Sequence, residues 1–100
     1  MVNINELVAQ AQAMQNKVKL AQAELAKQEV VGEAGGGLVK MTITCTKEAR
    51  KCEIDASLLK AEEKETLEDL IVAAMNNAKE LADEVATATM EEATSGLQLP

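Results

Sequence analysis

Apolar residues in the first quarter of the chain recur with the spacing of a helix. Residues 4–28 contain no glycine or proline and are rich in alanine, glutamine, lysine and leucine, which favour helices. Their apolar positions alternate at intervals of three and four residues, a heptad pattern that indicates packing along another long helix. An ordinary amphipathic helix remains the alternative. The apolar positions are Ile4, Leu7, Ala11, Met14, Val18, Ala21 and Leu25.

From residue 29 the spacing of apolar residues changes from a helical period to a period of two residues. Alternation with β-branched residues predicts half-buried strands. The clearest one places Val39, Met41, Ile43 and Cys45 on one face, and a shorter strand precedes it at about 30–33. In "RKCEID", Cys52 and Ile54 are expected to point inward. We predict a three-stranded antiparallel sheet over residues 29–55.

The helical period returns over residues 62–94, and the short tail 95–100 follows. A helix of about 33 residues is about 50 Å long, whereas a compact domain of 100 residues has a radius of gyration of about 13 Å. The second helix must therefore extend past its own sheet. Its apolar stripe consists of Leu67, Leu70, Ile71, Ala74, Ala78, Leu81, Val85 and Ala88.

We predict a single domain over residues 1–100 in the α+β class, with the sheet between two long helices. The protruding apolar stripe and the open edges of a small sheet both favour a second subunit, and a symmetric homodimer is the commonest arrangement. The sequence does not decide which apolar surface forms the dimer. The candidate interface residues are Val39, Met41, Ile43, Leu70, Ala74 and Leu81.

The glycine-rich stretch "VVGEAGGGLVKMTITC", residues 30–45, raises the question of a phosphate-binding loop. Gly32 and Gly37 have Walker spacing, but Leu38 stands where the lysine is required, and the dinucleotide pattern G-x-G-x-x-G is absent. The glycines also join two strands, so no helix N-terminus follows them. We predict a tight hairpin with glycines at positive φ.

Composition excludes several classes of function. The chain has no histidine and no aromatic residue, and its two cysteines, Cys45 and Cys52, are interpreted as buried small apolar residues. Ser57 and Ser95 have no evident activating partner, so we predict a protein that is not an enzyme and that uses no metal, cofactor or small-molecule substrate. No segment resembles a signal peptide or membrane span, which favours a cytoplasmic location.

The charge distribution bears on the partner. The net charge is −7, and residues 60–100 carry ten acidic residues against three basic ones. Phosphate groups of nucleic acid would therefore meet the earlier segments, although ordinary solubilising lysines explain each basic residue equally well. The acidic second helix alternatively suits a protein-interaction module that binds a basic protein, such as a ribosomal or targeting factor. The candidate DNA-binding residues are Lys17, Lys19, Lys27, Lys40, Lys47, Arg50 and Lys51.

Five segments in collinear order resemble the YbaB/EbfC family of nucleoid-associated proteins. The resemblance implies a small bacterial cytoplasmic protein that forms a tweezer-like homodimer, with long helices projecting from a central sheet. It also implies binding of double-stranded DNA at the nucleoid with modest or no sequence preference, and effects on gene expression. This chain stops at Pro100, whereas the family tail commonly continues past "LP" with further proline, glycine and basic residues. The segments are "QAQAMQNKV" (10–18), "VVGEAGGGLVKMTI" (30–43), "EIDASLL" (53–59), "LEDLIVAAMNNA" (67–78) and "SGLQLP" (95–100).

Overall fold

The structure is a computed structural model that describes residues 3–95, so nearly all of the predicted tail lies outside the described residues. Two long helices flank a three-stranded antiparallel sheet, which confirms the predicted α+β architecture. Two short 3₁₀ turns, Ala56–Leu58 and Ala61–Glu63, join the sheet to the second helix. The elements are α1 Ile4–Lys27, β1 Glu29–Ala34, β2 Val39–Thr44, β3 Ala49–Ile54 and α2 Lys64–Thr94.

Within residues 3–95, helix α1 packs against the rest of the protein mainly through its C-terminal half. Asn3 caps its start by accepting a hydrogen bond from the N–H of Asn5 at 2.9 Å. Ala21 and Leu25 are buried, whereas Ile4 is 74% exposed and Leu7 is 50% exposed. The heptad seam predicted from the sequence is therefore packed at one end and open to solvent at the other.

The sheet has the order β1-β2-β3, with regular antiparallel pairing between β1 and β2. The turn between them spans four residues, 35–38, and is therefore longer than the tight hairpin expected. Gly35, Gly36 and Gly37 all have positive φ, which confirms the predicted role of glycine there. At the β2–β3 turn, Lys47 also adopts a positive φ, 71°.

Helix α2 lies across β1 and β2 and forms the core with them. Its alanines Ala74, Ala78 and Ala82 are fully buried, and they pack with Val39 and Ile43 in two adjacent apolar clusters. Small residues permit this close approach because a longer side chain would hold the helix away from the strands. The same helix leaves β3 uncovered, so five of the six β3 residues are exposed.

This packing changes two expectations drawn from the sequence. Cys45 is buried as expected, but Cys52 is exposed, so the expectation that it is buried was wrong. Val39, Ile43 and Ala74 belong to the core of the single chain and have no exposed surface for a second subunit. Met41, Leu70 and Leu81 are half-buried and keep some surface exposed.

The molecule is long and narrow, with extents of 72 × 22 × 15 Å and a radius of gyration of 19.8 Å. A compact domain of this length would have a radius of gyration of about 13 Å. Both long helices extend beyond the sheet, as the predicted length of the second helix required for that helix. Within the described residues, a large part of α1 has no neighbour from the same chain.

Thr44 is the one fully buried polar side chain within residues 3–95, and it holds the turn that leads to β3. Its hydroxyl accepts a hydrogen bond from the N–H of Glu48 at 3.0 Å. We expect Thr44→Val to lower the free energy of unfolding by about 1–3 kcal/mol, because the N–H of Glu48 loses its partner. Urea titration measures this change. The control is Thr42→Val at a half-buried position of the same strand, which should change stability by less than half as much.

Candidate nucleic-acid interface

The basic residues of the sheet and its turns are all paired with acidic residues of the same chain. Lys40 faces Glu33 across β1 and β2, with 4.0 Å between Nζ and Oε1. Lys47 reaches Asp83 of α2 with an Nζ–Oδ1 distance of 2.8 Å. Such exposed pairs are individually weak, but each reduces the positive potential that a phosphate would meet. The remaining pairs are Arg50–Glu48 at 3.6 Å and Lys51–Glu53 at 2.7 Å.

The Lys51–Glu53 ion pair changes the pKa values of both its members. Lys51 lowers the pKa of the Glu53 carboxyl, first through a side-chain hydrogen bond and then through its charge. The same hydrogen bond raises the pKa of Lys51. Both groups therefore remain charged around neutral pH, and each neutralises the other.

The three lysines of α1 are in a different environment. Within residues 3–95, no carboxylate lies within 4.0 Å of the amino groups of Lys17, Lys19 or Lys27. All three side chains are exposed. At about 100° per residue, Lys19 and Lys27 lie on the side of the helix opposite to Ala21 and Leu25, which face the protein, whereas Lys17 lies about 40° from Ala21 and one turn before it. All three cations are accessible on α1, where they spread over about 160° of the helix surface. We call this accessible surface the lysine face.

Glu24 interrupts the lysine face. It is exposed and lies one turn before Lys27 on the same side of α1. The C-terminal half of α2, by contrast, is bordered by acidic residues, including Asp83, Glu84 and Glu91, which line a shallow open groove. Phosphate groups are therefore favoured at α1 and disfavoured along that part of α2.

The sequence identified these basic residues but missed their pairing. Glu33 lies opposite Lys40 only in the register that β1 and β2 adopt, and Asp83 meets Lys47 across a separation of many residues. The accessible lysines of α1 can attract anions electrostatically, whereas the sheet cations are paired with acidic residues. Residues 3–95 contain no cluster of three or more histidine, cysteine, aspartate or glutamate residues arranged to hold a metal ion. Within the same range, no helix is long and apolar enough to cross a membrane.

Comparison with known proteins shows the family of this chain. The family model described as the YbaB/EbfC DNA-binding family matches residues 1–97. A nucleoid-associated protein of Rickettsia rickettsii (strain Sheila Smith) is 49% identical over 100 residues, which cover all of this chain and 94% of the relative. A nucleoid-associated protein of Rickettsia bellii (strain OSU 85-389) is 50% identical with the same coverage.

A solved structure shares the fold. The crystal structure of an uncharacterized protein of Helicobacter pylori superposes with a TM-score of 0.80, over 98% of this chain and all of the other. Its sequence identity is 20%, so this likeness concerns the fold alone.

The family model and the named relatives place this elongated α+β fold among small nucleoid-associated DNA-binding proteins. The chain belongs to the YbaB/EbfC DNA-binding family. The resemblance found in the sequence is thereby confirmed.

Proposed function

We propose that this protein binds double-stranded DNA as a homodimer, with modest or no sequence preference, through the lysine face of α1. The observation that carries the proposal is the contrast between Lys17, Lys19 and Lys27, which have no acidic partner within residues 3–95, and the sheet cations, each of which has one. The proposed location is the nucleoid, in the cytoplasm, where binding would affect gene expression.

The absence of aromatic residues from the sequence supports a duplex ligand. Proteins that bind single strands commonly stack bases on aromatic rings, and this chain has none to offer. Lysines on a helix surface contact phosphates, which carry little sequence information. Weak sequence preference is therefore the expected behaviour.

The test is a gel-shift titration of the purified protein against duplex DNA over a series of salt concentrations. Six lysines on a dimer predict a fall in affinity of about 10³-fold between 50 and 200 mM salt. Binding that does not respond to salt, or no binding at 50 mM salt, would contradict the proposal.

Glu24 provides a variant that should improve binding. We expect Glu24→Gln to raise the affinity for duplex DNA about two- to fivefold, because it removes a negative charge from the lysine face. Glu80→Gln on α2 is the control, since it changes the net charge equally at an exposed site away from that face. Equal gains from the two variants would show that only net charge matters.

The exposed apolar end of α1 favours a second candidate function. Ile4, Leu7 and Val8 are 74%, 50% and 49% exposed, and such a stripe fits the protein-interaction module considered from the sequence. Co-purification with a basic protein that withstands nuclease treatment, together with no DNA binding at low salt, would favour this function over the first.

A further inference from the structure

The outward side of α1 carries amide side chains together with lysines. At about 100° per residue, Gln12 and Asn16 lie within about 20° of the direction opposite to the buried side of the helix. Lys19 lies about 40° to one side of this direction, and Lys27 lies about 40° to the other. All four side chains are exposed. We call these four residues the outer strip.

Both amides of the outer strip are available for new hydrogen bonds. Within residues 3–95, none of the side-chain hydrogen bonds involves Gln12 or Asn16. The acidic residues of α1 are Glu6 and Glu24, and each lies about 100° from the centre of the strip. No carboxylate of α1 therefore stands among these four side chains.

Solubility alone does not require amides at these positions. Helix α2 fills its exposed positions mainly with glutamate and aspartate, among them Glu68, Glu80 and Glu92. A neutral amide differs from a carboxylate in two respects: it does not repel phosphate, and it can donate a hydrogen bond as well as accept one. Both differences favour contact with a nucleic-acid base.

Helix α1 has a shape that the major groove of DNA admits. That groove is about 12 Å wide, and an α-helix with its side chains is about 10–12 Å across. Ile4 is 74% exposed and Leu7 is 50% exposed, so the first half of α1 leaves room for the walls of a groove. With the outer strip at the bottom of the groove, its lysines lie towards the phosphates at the two edges.

We propose that α1 enters the major groove and that Gln12 and Asn16 determine a modest preference for adenine. The proposal rests on the proposed function, because it requires that α1 bind duplex DNA. Glutamine and asparagine amides form paired hydrogen bonds with N6 and N7 of adenine, a donor and acceptor pattern that distinguishes A·T from G·C pairs. The two residues are about 6 Å apart along the helix axis, so they meet bases about two steps apart.

The test compares three duplexes of equal length, and therefore of equal phosphate charge, built from alternating A·T, G·C or inosine·C pairs. Inosine presents the same N7 and O6 atoms as guanine in the major groove, but it lacks the amino group that guanine places in the minor groove. We expect the natural chain to bind the A·T duplex about tenfold more tightly than either of the others. Gel-shift titration at one salt concentration measures the three dissociation constants.

A double variant, Gln12→Ala with Asn16→Ala, should remove this preference. Its affinity for the A·T duplex should fall about tenfold, whereas its affinity for the G·C duplex and its salt dependence should not change, because no charge is lost. The matched control is Gln10→Ala with Gln22→Ala, which removes two exposed amides of the same helix that lie at least about 100° from the centre of the outer strip. The control should keep the preference. Alanine favours the helix in both variants, as circular dichroism can verify.

The outcomes separate this inference from the proposed function. If the inosine·C duplex binds as tightly as the A·T duplex, the preference arises in the minor groove, and the placement of α1 in the major groove is overturned. Equal binding of all three duplexes, or a preference that survives in the Gln12→Ala and Asn16→Ala variant, overturns base recognition by these amides and leaves the proposed function intact. No binding to any duplex at low salt overturns the proposed function and this inference with it.

Discussion

Replacing Lys17, Lys19 and Lys27 with alanine is expected to remove most of the affinity for duplex DNA. Each lysine that contacts a phosphate contributes about one to the slope of log affinity against log salt. A dimer would lose six such contacts, so the slope should fall from about −5 towards zero. Gel-shift titrations at several salt concentrations measure both the affinity and the slope.

The matched control replaces Lys40, Lys47 and Lys51 with alanine. This variant changes the net charge by the same amount, but its lysines are already paired with acidic residues. It should therefore lose much less affinity and keep most of the slope. Equal losses in the two triple variants would contradict the assignment to α1. Alanine is the best helix former, so the α1 variant should keep its helix, as circular dichroism can verify.

The distinction between the two sets of lysines depends on tertiary structure. Periodicity showed where the strands lie and which residues alternate along them, and the structure confirmed those elements. Periodicity did not show that Glu33 would neutralise Lys40. That contact depends on the register of a hairpin whose turn is longer than expected. Periodicity placed the three lysines of the lysine face on one helix, but it could not show that they lack acidic partners within residues 3–95.

The exposure of β3 also depends on tertiary structure that periodicity does not show. Alternation correctly grouped Cys52 with Ile54 on one face, but it does not indicate how many strands a single helix can cover. Helix α2 approaches β1 so closely that it lies over β1 and β2 only, leaving Cys52 exposed. The start of α2 at Lys64, later than predicted, follows from the 3₁₀ turn that precedes it.

Gly32→Val is expected to cause the largest loss of stability of any single substitution considered for this fold. Gly32 has an ordinary negative φ, so any residue could adopt its backbone conformation. Glycine is needed there only because there is no space for a side chain. A Cβ atom there would collide with the backbone carbonyl oxygen of Ala74 and the backbone nitrogen of Ala78. Backbone atoms in the middle of a helix cannot move aside singly, so the whole of α2 would have to shift away from the sheet.

Overpacking a core costs about 1–3 kcal/mol where side chains can adjust, and more where they cannot. We therefore expect Gly32→Val to lower the free energy of unfolding by at least about 3 kcal/mol, measured by urea titration. Gly36→Ala is the control: its Cβ would meet no atom within 4 Å, and only its positive φ of 68° is unfavourable. That substitution should cost about 1–2 kcal/mol. Similar losses at the two positions would show that backbone conformation, and not contact with α2, determines the need for glycine at residue 32.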